Sequence, residues 1–123
     1  MKRGLVCAIC LFVLGNMWGL PVMAHSLSLA ECTEGGEFIH NAALARDNGI
    51  TREFFVSKLV EDLALIQSFP PHMRWFVQDS SDEKLLSDAV FSVFDKPMKA
   101  AQHRASFLRA CKQTAGIVDG TKI

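Results

Sequence analysis

Cysteine placement is the strongest constraint on what this chain can fold into. Four cysteines occur, at positions 7, 10, 32 and 111. The first two lie in an opening stretch, MKRGLVCAICLFVLGNMWGLPVMAHS, that has the three parts of a secretory signal. Lys2 and Arg3 give a short basic start, and Leu5 to Leu20 is almost uniformly apolar. Pro21 then leads into Val22-Met23-Ala24, with small residues at the two positions a signal peptidase reads. The apolar run is short for a bilayer span, which takes about 20 residues, and no lipobox precedes Cys7 or Cys10. Residues 1–24 are expected to be a signal peptide cleaved after Ala24. The product would be a periplasmic or secreted protein with no stable membrane anchor. Cys32 and Cys111 then remain as a lone pair in an oxidising compartment, where a structural disulfide is the expected outcome. A redox role would call for a Cys-x-x-Cys motif, and residues 25–123 contain none. Closing so long a loop contributes roughly 4.5 kcal/mol in the chain-entropy account, a large share of a small domain's net stability.

Residues 25–123 hold 11 Lys+Arg against 13 Asp+Glu, a formal charge of −2. A chain of about 100 residues makes one domain with a modest core. Without a basic cluster it lacks the electrostatic footprint of a nucleic-acid binder, and it has no strongly cationic face for a membrane surface.

Helical periodicity dominates the chain beyond residue 25. Ser28-Leu-Ala-Glu31 is a capping box opening a first helix, and Gly49 stops it. Between them Cys32, Gly35, Gly36, Phe38, Ile39, Ala42 and Ala43 share one face of small residues. Each glycine costs helix stability, about 1 kcal/mol relative to alanine, and close approach of another helix would compensate; a bend at Gly35–Gly36 is the competing account. Thr51 caps a second helix reaching about Ser68, with Phe55, Val56, Leu59, Val60, Leu63 and Ile66 in a wide apolar arc. Pro70-Pro71 ends it, and His72 to Gln78 is expected to form a short helical turn. Ser80-Ser-Asp-Glu83 reads as a second capping box, opening a third helix that runs to Phe94. A fourth, over about 98 to 113, points Ala100, His103, Phe107, Leu108 and Cys111 inward, and Gly116 ends it. The expected fold is an all-α bundle of four or five helices whose first and last members are joined by Cys32–Cys111.

Catalytic and ligand-binding signatures are sparse. His40, His72 and His103 lack metal-ligand spacing, and His103 reads as a hydrogen-bonded histidine at the core edge. His25 would become the N-terminal residue after cleavage, where amine and imidazole together are a weak candidate for copper. No Gly-x-Ser-x-Gly elbow, unpaired cysteine nucleophile or phosphate-binding glycine loop occurs in residues 25–123. The chain is expected to be non-enzymatic and to need no cofactor. Arg46 projects onto the apolar side of the first helix, Asp62 borders the arc of the second, and Asp79 follows the proline-rich corner. A structural ion pair from Arg46 or Arg74 to Asp62 or Asp79 is expected. In FPPHMRWFVQD, residues 69–79, the aromatic residues Phe69, Trp75 and Phe76 are expected to pin a corner into the core. His72, Arg74 and Trp75 are the candidate partner contacts there, since Arg with Trp is a common interface anchor.

A signal peptide, Cys32 opening a helix that ends Ala45-Arg-Asp-Asn-Gly49, and Phe107-Leu-Arg-Ala-Cys111 near the end resemble small exported one-disulfide helical proteins of proteobacteria. More loosely, the chain is similar to the periplasmic amidase-immunity proteins of type VI secretion. That resemblance implies a small helical protein that blocks a toxin by protein–protein contact. Export, small size and the absence of catalytic motifs make binding of another periplasmic or secreted protein, as an inhibitor or immunity factor, the expected function. An acid-stress chaperone is the alternative: with its carboxylates protonated, the mature chain would carry 11 Lys+Arg and four charged histidines, and such repulsion opens a bundle. The intact mass of the exported chain should correspond to residues 25–123, and its change on adding copper tests the His25 site; a mass retaining residues 1–24 would contradict the export reading.

Overall fold

Ser28 begins the first helix as a reciprocal cap. Its hydroxyl accepts the Glu31 N–H, and the Glu31 carboxylate accepts the Ser28 N–H. In a computed structural model, which describes residues 25–118 and 121–122, this helix is α1, Leu29–Asp47. The expected signal peptide lies outside the described residues. At the far end of α1 Gly49 takes a left-handed φ of 93°. Its N–H donates to Arg46 O and that of Ile50 donates to Ala45 O. These are the paired bonds of a Schellman stop, which uses the last orphan carbonyls.

Thr51 caps α2, Arg52–Ile66. Pro71–Met73 is one turn of 3-10 helix, shorter than the turn expected over 72–78 because Arg74 returns to extended backbone. The next helix, α3, spans Ser80–Asp95, and its cap is Asp79 rather than Ser80. A carboxylate one residue earlier captures the Asp82 N–H at 2.9 Å, so the helix opens sooner than the serine pair suggests. Helix α4, Ala100–Ala115, starts and ends two residues later than expected. After Gly116, in the left-handed region, Ile117–Val118 (β1) pairs antiparallel with Thr121–Lys122 (β2). The fold is an all-α bundle, and the Cys32–Cys111 disulfide joins its first and last helices, with Cα atoms 5.7 Å apart.

Pairing of α1 with α4 forms the centre. Cys32, Gly35, Gly36, Ile39, Ala42 and Ala43 of α1 are all buried, as the small-residue face predicts. Phe107 lies directly over Gly35: a Cβ there would come within 2.5 Å of its Cε1 and 3.1 Å of Phe76 Cζ. The glycines therefore serve close approach rather than a bend, since α1 continues unbroken through them. Leu86, Val90 and Val93 of α3 complete this core at zero exposure. A line of tilted aromatic rings runs Phe94–Phe55–Phe38–Trp75–Phe76–Phe107, with successive centroids 4.2 to 6.3 Å apart. It links α3, α2, α1, the connector and α4 in turn.

Helix α2 is the exception to good packing. Only Leu59 and Leu63 of its expected arc are buried; Val60 is 61% exposed, and Phe55, Val56 and Ile66 are half-buried. The connector also departs from expectation. Phe76 and Val77 are buried and Trp75 half-buried, but Phe69 is 44% exposed and does not pin the corner.

Gly35→Ala gains about 1 kcal/mol of helix propensity but overpacks Phe107, at about 1–3 kcal/mol. A net loss of up to about 2 kcal/mol is expected in urea unfolding. Gly36→Ala meets only Leu108 and Arg104 side-chain atoms, at 3.2 Å or more, and should stay within about 1 kcal/mol of wild type. A Gly35→Ala protein as stable as wild type would contradict the close-approach account.

Candidate functional site

Poor packing of α2 leaves a groove along its contact with α1. One hollow of about 260 Å3 is lined by Phe38, Ala45, Ile50, Phe54, Phe55, Lys58, Leu59 and Asp62. A second, of about 210 Å3, continues it toward the connector along Phe38, Leu59, Asp62, Leu63, Ile66 and Trp75. Phe38, Leu59 and Asp62 belong to both, so the two form one apolar channel. On the rim and beyond it Phe54, Leu65, Phe69 and Met73 are 44 to 64% exposed. Scattered single apolar residues on a surface are ordinary, whereas large ones gathered beside a hollow make it a candidate contact surface. The two charged side chains lining the channel differ. Lys58 Nζ is paired with Glu61 at 3.2 Å, while Asp62 is exposed and has no ion pair or hydrogen bond from its side chain among the described residues.

The predicted partner contacts divide. His72 is exposed at the corner. Arg74 instead closes the corner, donating from Nε to Phe69 O at 2.8 Å and from its other nitrogens to Gln67 O and Gln78 O. Those bonds compensate carbonyls left free where Pro70 and Pro71 interrupt the helix. Trp75 packs between Phe38 and Phe76 and also walls the second hollow, combining a structural and a surface role.

The expected ion pair is not formed. Arg46 reaches neither Asp62 nor Asp79. Its guanidinium donates to the carbonyls of Val93, Lys96 and Met98 at 2.7 to 3.1 Å and to the neighbouring Asp47 carboxylate. A planar fork spans several acceptors at once, and the carbonyls at the end of α3 and in the α3–α4 connector, where Pro97 supplies no N–H, lie within its reach. His103, 3% exposed, sits beside it with Nε2 3.0 Å from Lys96 O. A third hollow, of about 280 Å3 between α3 and α4, touches His103, Ser92, Ser106 and Asp88. No hydrogen bond joins that histidine to either serine among the described residues, and Asp88 is paired with Lys84.

Asp79 instead belongs to a cluster around His25. The His25 backbone N–H donates to Asp79 Oδ2 at 3.1 Å. Its Nδ1 lies 2.7 Å from Asp82 Oδ2 and its Nε2 3.2 Å from Glu31 Oε2. Asp82, 3% exposed, also accepts the Gln78 N–H. Burial opposes a charge on His25, but the Asp82 hydrogen bond and the charges of Glu31, Asp82 and Asp79 outweigh it, raising its pKa above the ordinary 6.5. Asp79 is held below its ordinary 3.8, chiefly by the Asp82 N–H; burial opposes this, and the His25 N–H adds to the lowering. No group of three or more His, Cys, Asp or Glu with metal-binding geometry occurs among the described residues. The ring nitrogens that copper would require are both engaged by carboxylates. Glu31 and Asp82 are legible in the sequence only as acids near helix starts; fifty-odd residues separate His25 from Asp79 and Asp82, so no spacing reveals the cluster.

No helix among the described residues is long and apolar enough to cross a membrane. Comparison with protein-family models, curated proteins and solved structures finds no match.

His25 contributes stability that is complete below pH 6.5 and disappears as pH rises through its raised folded value. Asp79 contributes above pH 3.8 and loses its contribution as pH falls through its depressed folded value. The cluster should therefore stabilise most between those limits. In urea titrations, His25→Gln should flatten the alkaline limb of the stability profile and Asp79→Asn the acidic limb. Unchanged limbs in both variants would contradict this assignment.

Proposed function

We propose that this chain is an exported, non-enzymatic protein that binds another periplasmic or secreted protein and acts as its inhibitor or immunity factor. The α1–α2 groove is its docking surface. The carrying observation is the apolar channel over Phe38 and Leu59, with Phe54 59% and Leu65 62% exposed on a helix that packs by two buried residues. An occupant suited to it presents apolar side chains to the channel and a lysine or arginine to Asp62, because the other charged wall, Lys58, is already neutralised by Glu61. Groove recognition of this kind concentrates energy in a few aromatic anchors. Trp75 at one end and Phe54 at the other suit that role, and export would bring the protein to a compartment where a secreted hydrolase is met.

The same exposed side chains also favour a second reading, the acid-stress chaperone. A chaperone shields many unfolded clients at low pH, whereas an inhibitor recognises one folded partner at neutral pH.

The test is recovery of a partner from periplasmic extract at physiological salt, followed by assay of that partner's hydrolytic activity with the chain added. Phe54→Glu should weaken binding by about 30-fold or more, the size of a lost anchor, with little change in melting temperature because the ring is largely exposed. Asp62→Lys should weaken it less. Failure to recover a partner, or a partner indifferent to Phe54→Glu, would overturn the reading. Protection of aggregating clients at low pH, without a specific partner, would favour the chaperone.

A further inference from the structure

The cluster gathers three carboxylates around His25, and each acid also accepts a backbone N–H from another residue. Asp79 Oδ1 caps α3 through the Asp82 N–H, Glu31 Oε1 caps α1 through the Ser28 N–H, and Asp82 Oδ2 accepts the Gln78 N–H. Every one of them also faces His25: Glu31 and Asp82 hold its ring, and Asp79 holds its backbone nitrogen at 3.1 Å. Two residues further on, Leu27 is 2% exposed, so this segment is docked into the body of the fold. While residue 25 is joined to Ala24, its nitrogen is a neutral amide with one hydrogen. The imidazolium, which touches Asp82 and Glu31 but not Asp79, is then the one positive charge in the cluster among the described residues, and two negative charges are left over.

The sequence places a peptidase-type junction, Val22-Met23-Ala24, directly before this nitrogen. We propose that cleavage of the Ala24–His25 bond completes the fold electrostatically: the new α-ammonium of His25 becomes the second cation of the cluster, paired with Asp79. Hydrolysis breaks the C–N bond. The hydroxyl of water goes to the Ala24 carbonyl carbon and its hydrogen to the His25 nitrogen. The proton released when the new Ala24 carboxyl ionises is balanced by protonation of the amine. One donor becomes three and a neutral group becomes a cation, at a position where Asp79 Oδ2 already points. The excess negative charge falls by one. Processing thus serves as more than release from the membrane, because the mature terminus is a structural ion with a prepared partner.

The pairing does not depend on what occupies the α1–α2 groove. Three forms of residues 25–123, the span that carries every described element, test it: a free amine at His25, one retaining Ala24 at its front, and one acetylated at His25. At pH 6 the free-amine form should have the smallest unfolding constant in urea, by roughly threefold to fivefold over the other two, the scale of a partly exposed ion pair. Asp79→Asn removes the charge yet keeps a competent helix cap, and should erase that difference. As a second measurement, the α-amine should titrate above its usual range of about 7.7–8.0 in wild type and return to it in Asp79→Asn. Equal unfolding constants in the three forms, a difference that survives Asp79→Asn, or an exported chain beginning at a residue other than His25 would each overturn the proposal.

Discussion

Everything in this fold rests on how closely α1 approaches α4. Gly35 leaves room for the Phe107 ring, Gly36 admits Leu108, and Cys32 meets Cys111 one turn along. A side chain at Gly35 would collide with the Phe107 ring and crowd that of Phe76, disturbing the core that Leu86, Val90 and Val93 of α3 complete. The disulfide ties helices through residues 79 apart in sequence. In a chain with a modest core, that tie and that contact together set the frame to which α3 and α2 are added.

Two groups of polar contacts then fix the ends of the frame. At one end Arg46 gathers the carbonyls of the α3–α4 connector, and at the other His25 is held among Glu31, Asp79 and Asp82. Both sites satisfy groups that helices leave unpaired at their termini. Neither contributes a residue to the groove. These polar ties and the proposed recognition surface are thus separated in space, and the groove shares only core side chains such as Phe38, Leu59 and Trp75 with the α1–α3–α4 body.

The frame is largely legible in the sequence. A run of small residues at helical spacing beside Cys32 points to α1, and the Phe107 and Cys111 spacing points to the partner face of α4. Capping residues locate most helix starts to within two positions. Legibility fails where the partner of a group lies far along the chain. Arg46 looks like half of an ion pair because its charge is visible in the sequence and the free carbonyls of a connector are not. His25 looks like a terminal chelator because its acids arrive from α1 and from the start of α3. The apolar arc of α2 reads as core, yet periodicity reports which face is apolar without reporting whether the chain has anything left to cover it. Much of that arc stays uncovered, and the proposed function grows out of that surplus.

If α2 is an adjunct to a stapled core, free to present its apolar face, native-state hydrogen exchange will resolve it from the other helices. Buried amides of α1 and α4, around Ile39 and Phe107, should exchange only on global unfolding, while those of α2 around Val60 and Ala64 should exchange through a local opening of much lower free energy. Protection of α2 equal to that of α1 and α4 would contradict this picture, because it would make α2 an integral part of the core.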